Sequence, residues 1–242
     1  MFFGRHLVGA ERLRWLVGEV VVVIIGVLAA LGIDQTWSDR MDRQLELEYL
    51  VSIRNAVQAD MDYATNTRQQ NLKRKMDAID AVGPVVRGVA PLPDDIELFL
   101  LNVGMAAAGG VSPTYAISRG AFEELVSTGN IRLITDRDIR RAIIDYYVAQ
   151  DAEHQRLMAR LTDYPEIVLG ILPSELREDF NLAAIKTFNV DRAIAVIMSD
   201  RFETLFNREH NLALFMKSRH PQILSNTKTI MDKLDTHIEQ LD

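Results

Sequence analysis

The chain has 242 residues, of which 48% are hydrophobic and 25% are charged, a balance typical of a folded protein and not of a disordered one. The formal net charge is −7, and an acidic surface repels phosphate backbones, so we expect no nucleic-acid partner. There is no cysteine, which excludes disulfides, thiolate catalysis and cysteine-ligated metal centres.

The only long apolar run in the sequence lies between Trp15 and Trp37, and Glu19 is the only charged residue within residues 16–33. On an α-helix the two tryptophans would be about 33 Å apart, close to the hydrocarbon thickness of a bilayer. Tryptophans at both ends of such a run are typical of membrane interfaces. We therefore predict one transmembrane helix over residues 15–37, with the two tryptophans as its interface anchors.

The alternative to an uncleaved anchor is a secretory signal peptide, because Ala30-Leu31-Gly32 satisfies the small-x-small cleavage rule. Against it, Asp34 and Trp37 continue the helical pattern beyond that point. In front of the span, residues 1–14 mix apolar side chains with arginines, which fits either a juxtamembrane helix lying at the interface or a frayed terminus. We favour the uncleaved anchor.

Arginines flank the predicted span on both sides, with Arg5, Arg12 and Arg14 before it and Arg40 and Arg43 after it. An excess of basic residues marks the cytoplasmic side, so the arginines favour a cytoplasmic N-terminus. We therefore expect a single-pass protein of the bacterial inner membrane whose C-terminal domain is periplasmic.

Small residues in the span would let a neighbouring helix approach closely, although glycine and alanine are also simply common in membrane helices. Glu19 has two interpretations. It is either a buried hydrogen-bond or proton site, since ionisable groups are costly in lipid, or a side chain that reaches the interface one turn from Trp15. The predicted helix-contact residues are Gly18, Gly26, Ala29, Ala30 and Gly32.

No glycine or proline occurs within residues 33–82, and apolar residues recur there at steps of three to five, as one helical face requires. We predict that the membrane helix continues outward as a stalk helix over residues 38–82, ended by Gly83-Pro84. Two or three imperfect heptads are typical of one helix of a bundle more than of a coiled coil, so we favour the bundle helix. The apolar face comprises Met41, Leu45, Leu50, Ile53, Val57, Met61 and Ala64, weakens over residues 65–75, and resumes with Leu72, Met76, Ile79 and Val82.

The remaining sequence, residues 94–242, predicts further helices, and no stretch alternates apolar and polar residues over the length of a strand. Between Pro165 and Pro173, the segment EIVLGIL is too short to span a membrane, so we expect a core segment rather than a re-entrant or surface-docking element. The domain over residues 38–242 is therefore predicted to be all-α. The predicted boundaries are a cap at Asp94 or Asp95, a restart at Ser112-Pro113, an end at residues 127–130, a capped helix from Asp136 to about Leu161, helices over residues 176–187, 190–198 and 201–218, and a break or bend at His220-Pro221.

Several short motifs are spread over residues 16–150. The first motif is Gly18-Glu19, followed by the aliphatic run and then Trp37. The others are Glu48-Tyr49-Leu50 with Asp60, the segment AFEEL at residues 121–125, Ser127-Thr128-Gly129-Asn130 with Ile134, and Tyr146-Tyr147. This pattern resembles a family of uncharacterised bacterial single-pass membrane proteins, from which Asp34-Gln35-Thr36 departs where asparagines are expected. That family has no assigned activity, so the resemblance implies only a single-pass topology and a helical outer domain.

The sequence contains no arrangement typical of an enzyme. A di-iron bundle needs paired Glu-x-x-His motifs, whereas the chain has one unpaired Asp151-x-x-His154. It has no Gly-x-Ser-x-Gly elbow, no Walker loop and no Gly-x-Gly-x-x-Gly. We predict no catalytic residue, no metal site and no cofactor.

The first functional hypothesis is a non-enzymatic accessory or scaffold subunit that docks through its span onto a larger membrane complex, for example of respiratory or photosynthetic type. Its partners would be the lipid bilayer and other membrane subunits, with a homo-oligomer as another arrangement. The alternative is a periplasmic helical sensor or ligand-binding module. It would signal through a partner, because the roughly 14 residues before the span are too few for an output domain.

Overall fold

The computed structural model describes residues 7–108, 118–172 and 188–241, and within these ranges it is all-helical without a β-strand. In α1, side chains are described at Trp15, at residues 19–27, at Gly32 and from Gln35 onward. The prediction of an all-α fold is confirmed for the described residues. The helices are α1 (Leu7–Asp62), α2 (Gln69–Val86), α3 (Ile96–Ala108), α4 (Gly120–Ser127), α5 (Arg137–Met158), α6 (Tyr164–Ile171), α7 (Val190–Ile197) and α8 (Asp200–Leu241).

α1 and α2 form one continuous helical path, joined by a π-helical turn at Tyr63–Arg68. The prediction that this path ends at Gly83-Pro84 is wrong, because the helix continues to Val86. Proline lacks an N–H and its ring crowds the preceding turn, but its carbonyl can still accept: the Pro84 carbonyl accepts hydrogen bonds from the amides of Val89 and Ala90 at 2.8 and 3.0 Å. The helix end is therefore set by the turn that follows Pro84 and not by the proline itself.

Of the predicted break or bend at His220-Pro221, the break is absent, since α8 is one helix of 42 residues. It runs antiparallel to the α1–α2 path: Arg43 donates to the Leu241 carbonyl at 3.3 Å, and the Lys75 ammonium pairs with Glu209. Packing along its whole length outweighs the one hydrogen bond that Pro221 cannot donate.

The buried apolar residues fall into two separate clusters. The distal core, between α2, α3, α6, α7 and the first half of α8, includes Ile79, Val82, Leu100, Val168, Ile197 and Phe206. The proximal core, between α1, α4, α5 and the second half of α8, includes Leu50, Ile53, Val57, Ile143, Ile230 and Leu234. The predicted stalk is therefore a bundle helix from about Tyr49 onward, because its apolar face is buried against other helices of the same chain.

Local capping signals place the shorter helices where the sequence predicts them. The carboxylate of Asp95 accepts from the Leu98 amide at 2.9 Å before α3, and Asp136 caps α5 through the amides of Asp138 and Ile139. Gly129, with φ of 74°, follows α4 in the left-handed conformation. The predicted restart at Ser112-Pro113 and the predicted helix over residues 176–187 lie outside the described residues.

The segment between the prolines is α6, which packs in the distal core as predicted. Tyr164 and Val168 are fully buried there, and the Tyr164 hydroxyl donates to the Val103 carbonyl at 3.4 Å. Among the described residues, no helix combines the length and the apolar character needed to span a bilayer.

Candidate functional site

The predicted anchors and helix-contact residues lie on the part of α1 before Leu45, where the described side chains are exposed. Trp15 and Trp37 are 69% and 67% exposed, and Glu19 is exposed as well. Nothing described lies within 4 Å of a Cβ built at Gly26 or Gly32, so the described chain leaves both positions open to a neighbour. The side chains of the other predicted contact residues, Gly18, Ala29 and Ala30, lie outside the described set.

The same part of α1 exposes a sleeve of large aliphatic side chains. Successive residues on a helix point about 100° apart, so consecutive positions cover its whole circumference. No face of this stretch is polar, unlike the outer face of a helix in contact with water. The aliphatic sleeve consists of Val20, Val21, Val22, Val23, Ile24, Ile25 and Val27, each between 47% and 69% exposed.

A buried ion pair holds the distal core together. The Lys75 Nζ on α2 lies 2.6 Å from the Glu209 Oε1 on α8, and the two side chains are 4% and 2% exposed. Burial lowers the pKa of Lys75, and the adjacent carboxylate opposes part of that effect. Lys75 also donates to the Ala106 and Ala107 carbonyls at the C-terminal end of α3, and the Thr162 hydroxyl donates to Glu209 Oε2. The pair thus joins α2, α3, α8 and the link between α5 and α6.

A buried polar layer separates the two cores at the level of the π-helical turn. Its members come from the three longest helical paths and are Arg68, Gln150, Glu153, His220 and Thr227, each at most 9% exposed. On each path they lie between residues of the proximal core and residues of the distal core. The layer therefore interrupts what would otherwise be one apolar interior.

The two ionisable side chains Glu153 and His220 of this layer differ in their partners, since arginines bind Glu153 and no described residue binds His220. Burial would raise the pKa of Glu153, but hydrogen bonds and charges from Arg219 and Arg156 outweigh it, so the pKa is lowered. The Arg219 Nε donates to Glu153 Oε2 at 3.1 Å. Neither ring nitrogen of His220 has a hydrogen-bond partner among the described residues. Burial, with the nearby charge of Arg68, lowers the pKa of His220, so the ring is held neutral.

The motifs within residues 48–147 that contribute to the family resemblance converge around the proximal core. The Tyr49 hydroxyl donates to Glu124 Oε1 at 3.3 Å and accepts from Asn130 Nδ2 at 3.0 Å. Leu50 and Leu125, from two of these motifs, are both fully buried in the proximal core. The predicted Ser-Thr-Gly-Asn turn is thus tied directly to α1, which is a structural role.

A second set of motif residues fastens α5 to α1 and α4. Asp60 Oδ2 accepts from the Tyr146 hydroxyl at 3.1 Å, and Asp60 Oδ1 accepts from the Ser118 amide at 3.0 Å. Phe122 stacks on Tyr147 with 4.1 Å between ring centroids. Burial raises the pKa of Tyr147 to about 12, and it raises the pKa of Asp60 despite these hydrogen bonds. The phenols stay protonated at neutral pH and act as hydrogen-bond donors, not as bases.

An open groove runs between α5 and the last part of α8. A cavity of about 860 Å³ begins at Asp136 and His237, and a second of about 280 Å³ continues it towards Ala149. The two share Ala142, Asp145 and Lys233 in their walls. The sequence analysis missed this groove, although the short side chains Ala142 and Ala149, one heptad apart on α5, are the signal that could have revealed it.

The described residues contain no group of three or more histidine and carboxylate side chains placed to hold a metal ion. No protein-family model matches the chain, and neither does any curated protein or solved structure. The interpretation of function therefore depends on the residues and their geometry, and the resemblance to the single-pass family stays a prediction.

Replacing Lys75 with methionine should lower the free energy of unfolding by about 3–5 kcal/mol, because Glu209 would become a buried charge without its cation. The double variant Lys75→Met/Glu209→Met should recover much of that loss, because it removes both charges from the interior. Urea denaturation followed by circular dichroism gives the values.

Lys73→Met is the matched control, since Lys73 lies two residues away on the same helix and pairs with Asp77 at the surface. Exposed pairs contribute little, so this variant should cost less than about 1 kcal/mol. Equal losses for the two lysine variants would contradict a structural role for the buried pair.

His220 should make the protein less stable in acid. Its pKa is lower in the folded chain than its ordinary value of 6.5, so the unfolded chain binds the proton more readily. The stability that His220 contributes is complete above the unfolded pKa and is lost as the pH falls below it towards the folded pKa. In the variant His220→Leu, the drop in unfolding free energy between about pH 7.5 and about pH 5 should be smaller than in the wild type.

Thr227→Val serves as the control for His220, because it alters the same buried layer without removing a titrating group. Its pH dependence should match that of the wild type. An unchanged pH dependence in His220→Leu would show that His220 does not carry the effect.

Proposed function

We propose that the chain is a non-enzymatic, membrane-anchored accessory or scaffold subunit. Its single N-terminal helix enters the bilayer and docks against another membrane protein, and its helical bundle is held outside the membrane. The observation that carries the proposal is the aliphatic sleeve of α1, which belongs to a run bounded by Trp15 and Trp37.

Exposed apolar surface of this extent supports a membrane or protein environment. Each square ångström of apolar surface left in water costs about 25 cal/mol, and contiguous apolar patches mark interaction sites. The sleeve covers every side of the helix, whereas a site for one protein partner needs only one side. Lipid surrounds a helix from all sides, so a bilayer is the environment that fits best, with Gly26 as one place where another helix can approach.

The continuity of α1 supports a scaffold role. The helix has no glycine or proline between Trp37 and the proximal core, which it reaches at Glu46 and Tyr49. Glu46 is nine residues after Trp37 on this helix, a rise of about 14 Å. Such a connection transmits position and orientation, as a scaffold requires, where a flexible linker would transmit neither.

A non-enzymatic role is supported by the contacts of the buried and half-buried polar side chains, which bind one another across the bundle. Lys75 and Glu209 neutralise each other inside the distal core, and Asp60, Tyr146 and Glu124 bind other helices of the bundle. The contacts of these groups are ones that stabilise the fold.

The alternative, a periplasmic sensor or ligand-binding module, is favoured by the open groove between α5 and α8. It ranks second because small-molecule sites enclose most of their ligand, whereas Asp138, Arg141 and Asp232 in this groove are exposed to solvent.

The membrane anchor is tested by placing charges in the sleeve. The wild type should stay in the membrane pellet after alkaline carbonate extraction. Val22→Asp/Ile25→Asp should move to the supernatant, because each charge near the centre of a span costs about 2.5–3.5 kcal/mol. The control Ile144→Asp/Val148→Asp adds the same charges on an exposed face of α5 and should remain in the pellet. A wild-type chain found in the supernatant would refute the anchor.

Docking through the span is tested separately at Gly26. Gly26→Leu should weaken co-purification of the neighbouring membrane protein in mild detergent while leaving membrane retention unchanged, because the added side chain blocks close helix approach. Ile24→Phe adds bulk on the opposite side of the helix and should have little effect. Undiminished co-purification of Gly26→Leu would count against docking at this face.

A further inference from the structure

The groove between α5 and α8 has the dimensions of a helix-binding site. Its floor is apolar, formed by Ile139, Ala142 and Ala149 of α5 and by Ile230 of α8. From Ile139 to Ala149 the floor extends about 15 Å, which is close to three helical turns. Alanine at two floor positions lets another backbone approach closely, as packed helices require.

The rim of the groove is acidic. Four carboxylates line it against two cations, Arg141 and Lys233, which gives the walls a formal charge of −2. The Arg141 Nε already lies 3.6 Å from the Asp145 Oδ2 within α5. Asp138 and Asp232 make no ion pair with any residue in the described ranges. The four carboxylates belong to Asp136, Asp138, Asp145 and Asp232.

A buried histidine, His237, lies at one end of the groove. The residue is nine-tenths buried, its Nδ1 lies 3.9 Å from the Asp136 Oδ2, and its Nε2 has no hydrogen-bond partner within the described chain. The ring is enclosed by its neighbours, so the acceptors that face the groove are the carboxylates of its rim.

We propose that this groove binds an amphipathic helix of a partner protein, with small apolar residues facing the floor and lysines or arginines facing the rim. An apolar floor with charged walls is how helix-binding grooves combine affinity with orientation. Basic side chains complement the carboxylates of Asp138 and Asp232, which have no cation of their own among the described residues. The proposal concerns the bundle alone and would stand even if α1 did not enter a bilayer.

The test uses the full chain in a non-ionic detergent and a fluorescent synthetic peptide of about four turns, with leucine and alanine on one face and lysine on the other. Fluorescence anisotropy should show saturable binding that weakens as salt is added. A scrambled peptide of the same composition and a peptide with glutamate in place of lysine should each bind at least about tenfold more weakly, a difference of about 1.4 kcal/mol.

Variants locate the binding site. Asp138→Asn/Asp232→Asn should lower the affinity at least about tenfold, and Ala142→Leu, which fills the floor without changing charge, should do the same. The control Glu166→Gln/Asp191→Asn removes two exposed carboxylates beside the distal core and should bind like the wild type. Circular dichroism and thermal midpoints establish that each variant is folded.

The proposal is overturned if the peptide does not bind saturably, or if the scrambled peptide binds equally well. It is also overturned if the control variant loses as much affinity as the groove variant, since that would show general attraction to an acidic protein. Membrane retention of the wild type is measured independently, so failure here and failure of the anchor are distinguishable.

Discussion

The contact between Lys75 and Glu209 fixes the arrangement of the helices in the distal core. Both charges are removed from water, and either one alone would be strongly destabilising in that position. The register of α8 against α2 is therefore restricted to the one that brings the two side chains together. Because Lys75 also binds the carbonyl groups that end α3, the same contact sets where α3 stops against α2.

The two cores and the polar layer follow from that register. With α8 antiparallel to the α1–α2 path, Arg54 meets Asp235 at 2.8 Å near one end, and Lys75 meets Glu209 towards the other. Between these contacts the three longest helical paths bring polar residues, among them Arg68 and His220, to the same level. A π-helical turn lies at this level, and such turns interrupt the regular hydrogen bonding of a helix. The bundle thus has two apolar interiors joined through a polar middle.

Local signals in the sequence predicted much of the helical structure, and partners distant in sequence account for most of what was missed. Asp95, Asp136 and Gly129 mark helix ends through contacts with their own neighbours, so the sequence alone was sufficient there. The apolar face of the α1–α2 path weakens after Ala64 because two of the buried positions that follow carry Arg68 and Lys75. Both side chains are buried, which hydropathy does not predict for charged residues. The partner of Lys75, Glu209, lies far along the chain, so local sequence does not reveal the pair. The helices crossing Pro84 and Pro221 were missed for a related reason, because tertiary packing compensates for a lost local hydrogen bond.

The geometry of α1 links the proposed anchor to the proposed groove. Arg43, six residues beyond Trp37, binds the Leu241 carbonyl, so the last turn of α8 lies about 9 Å of helix beyond the tryptophan. His237, at one end of the groove, lies one turn before that carbonyl, so this end is the one nearest the proposed membrane surface. A membrane partner with a basic helix next to its own span could therefore contact both sites at once. Rigid spacing raises the effective concentration of the second contact once the first has formed, so two individually weak contacts would act as one stable attachment.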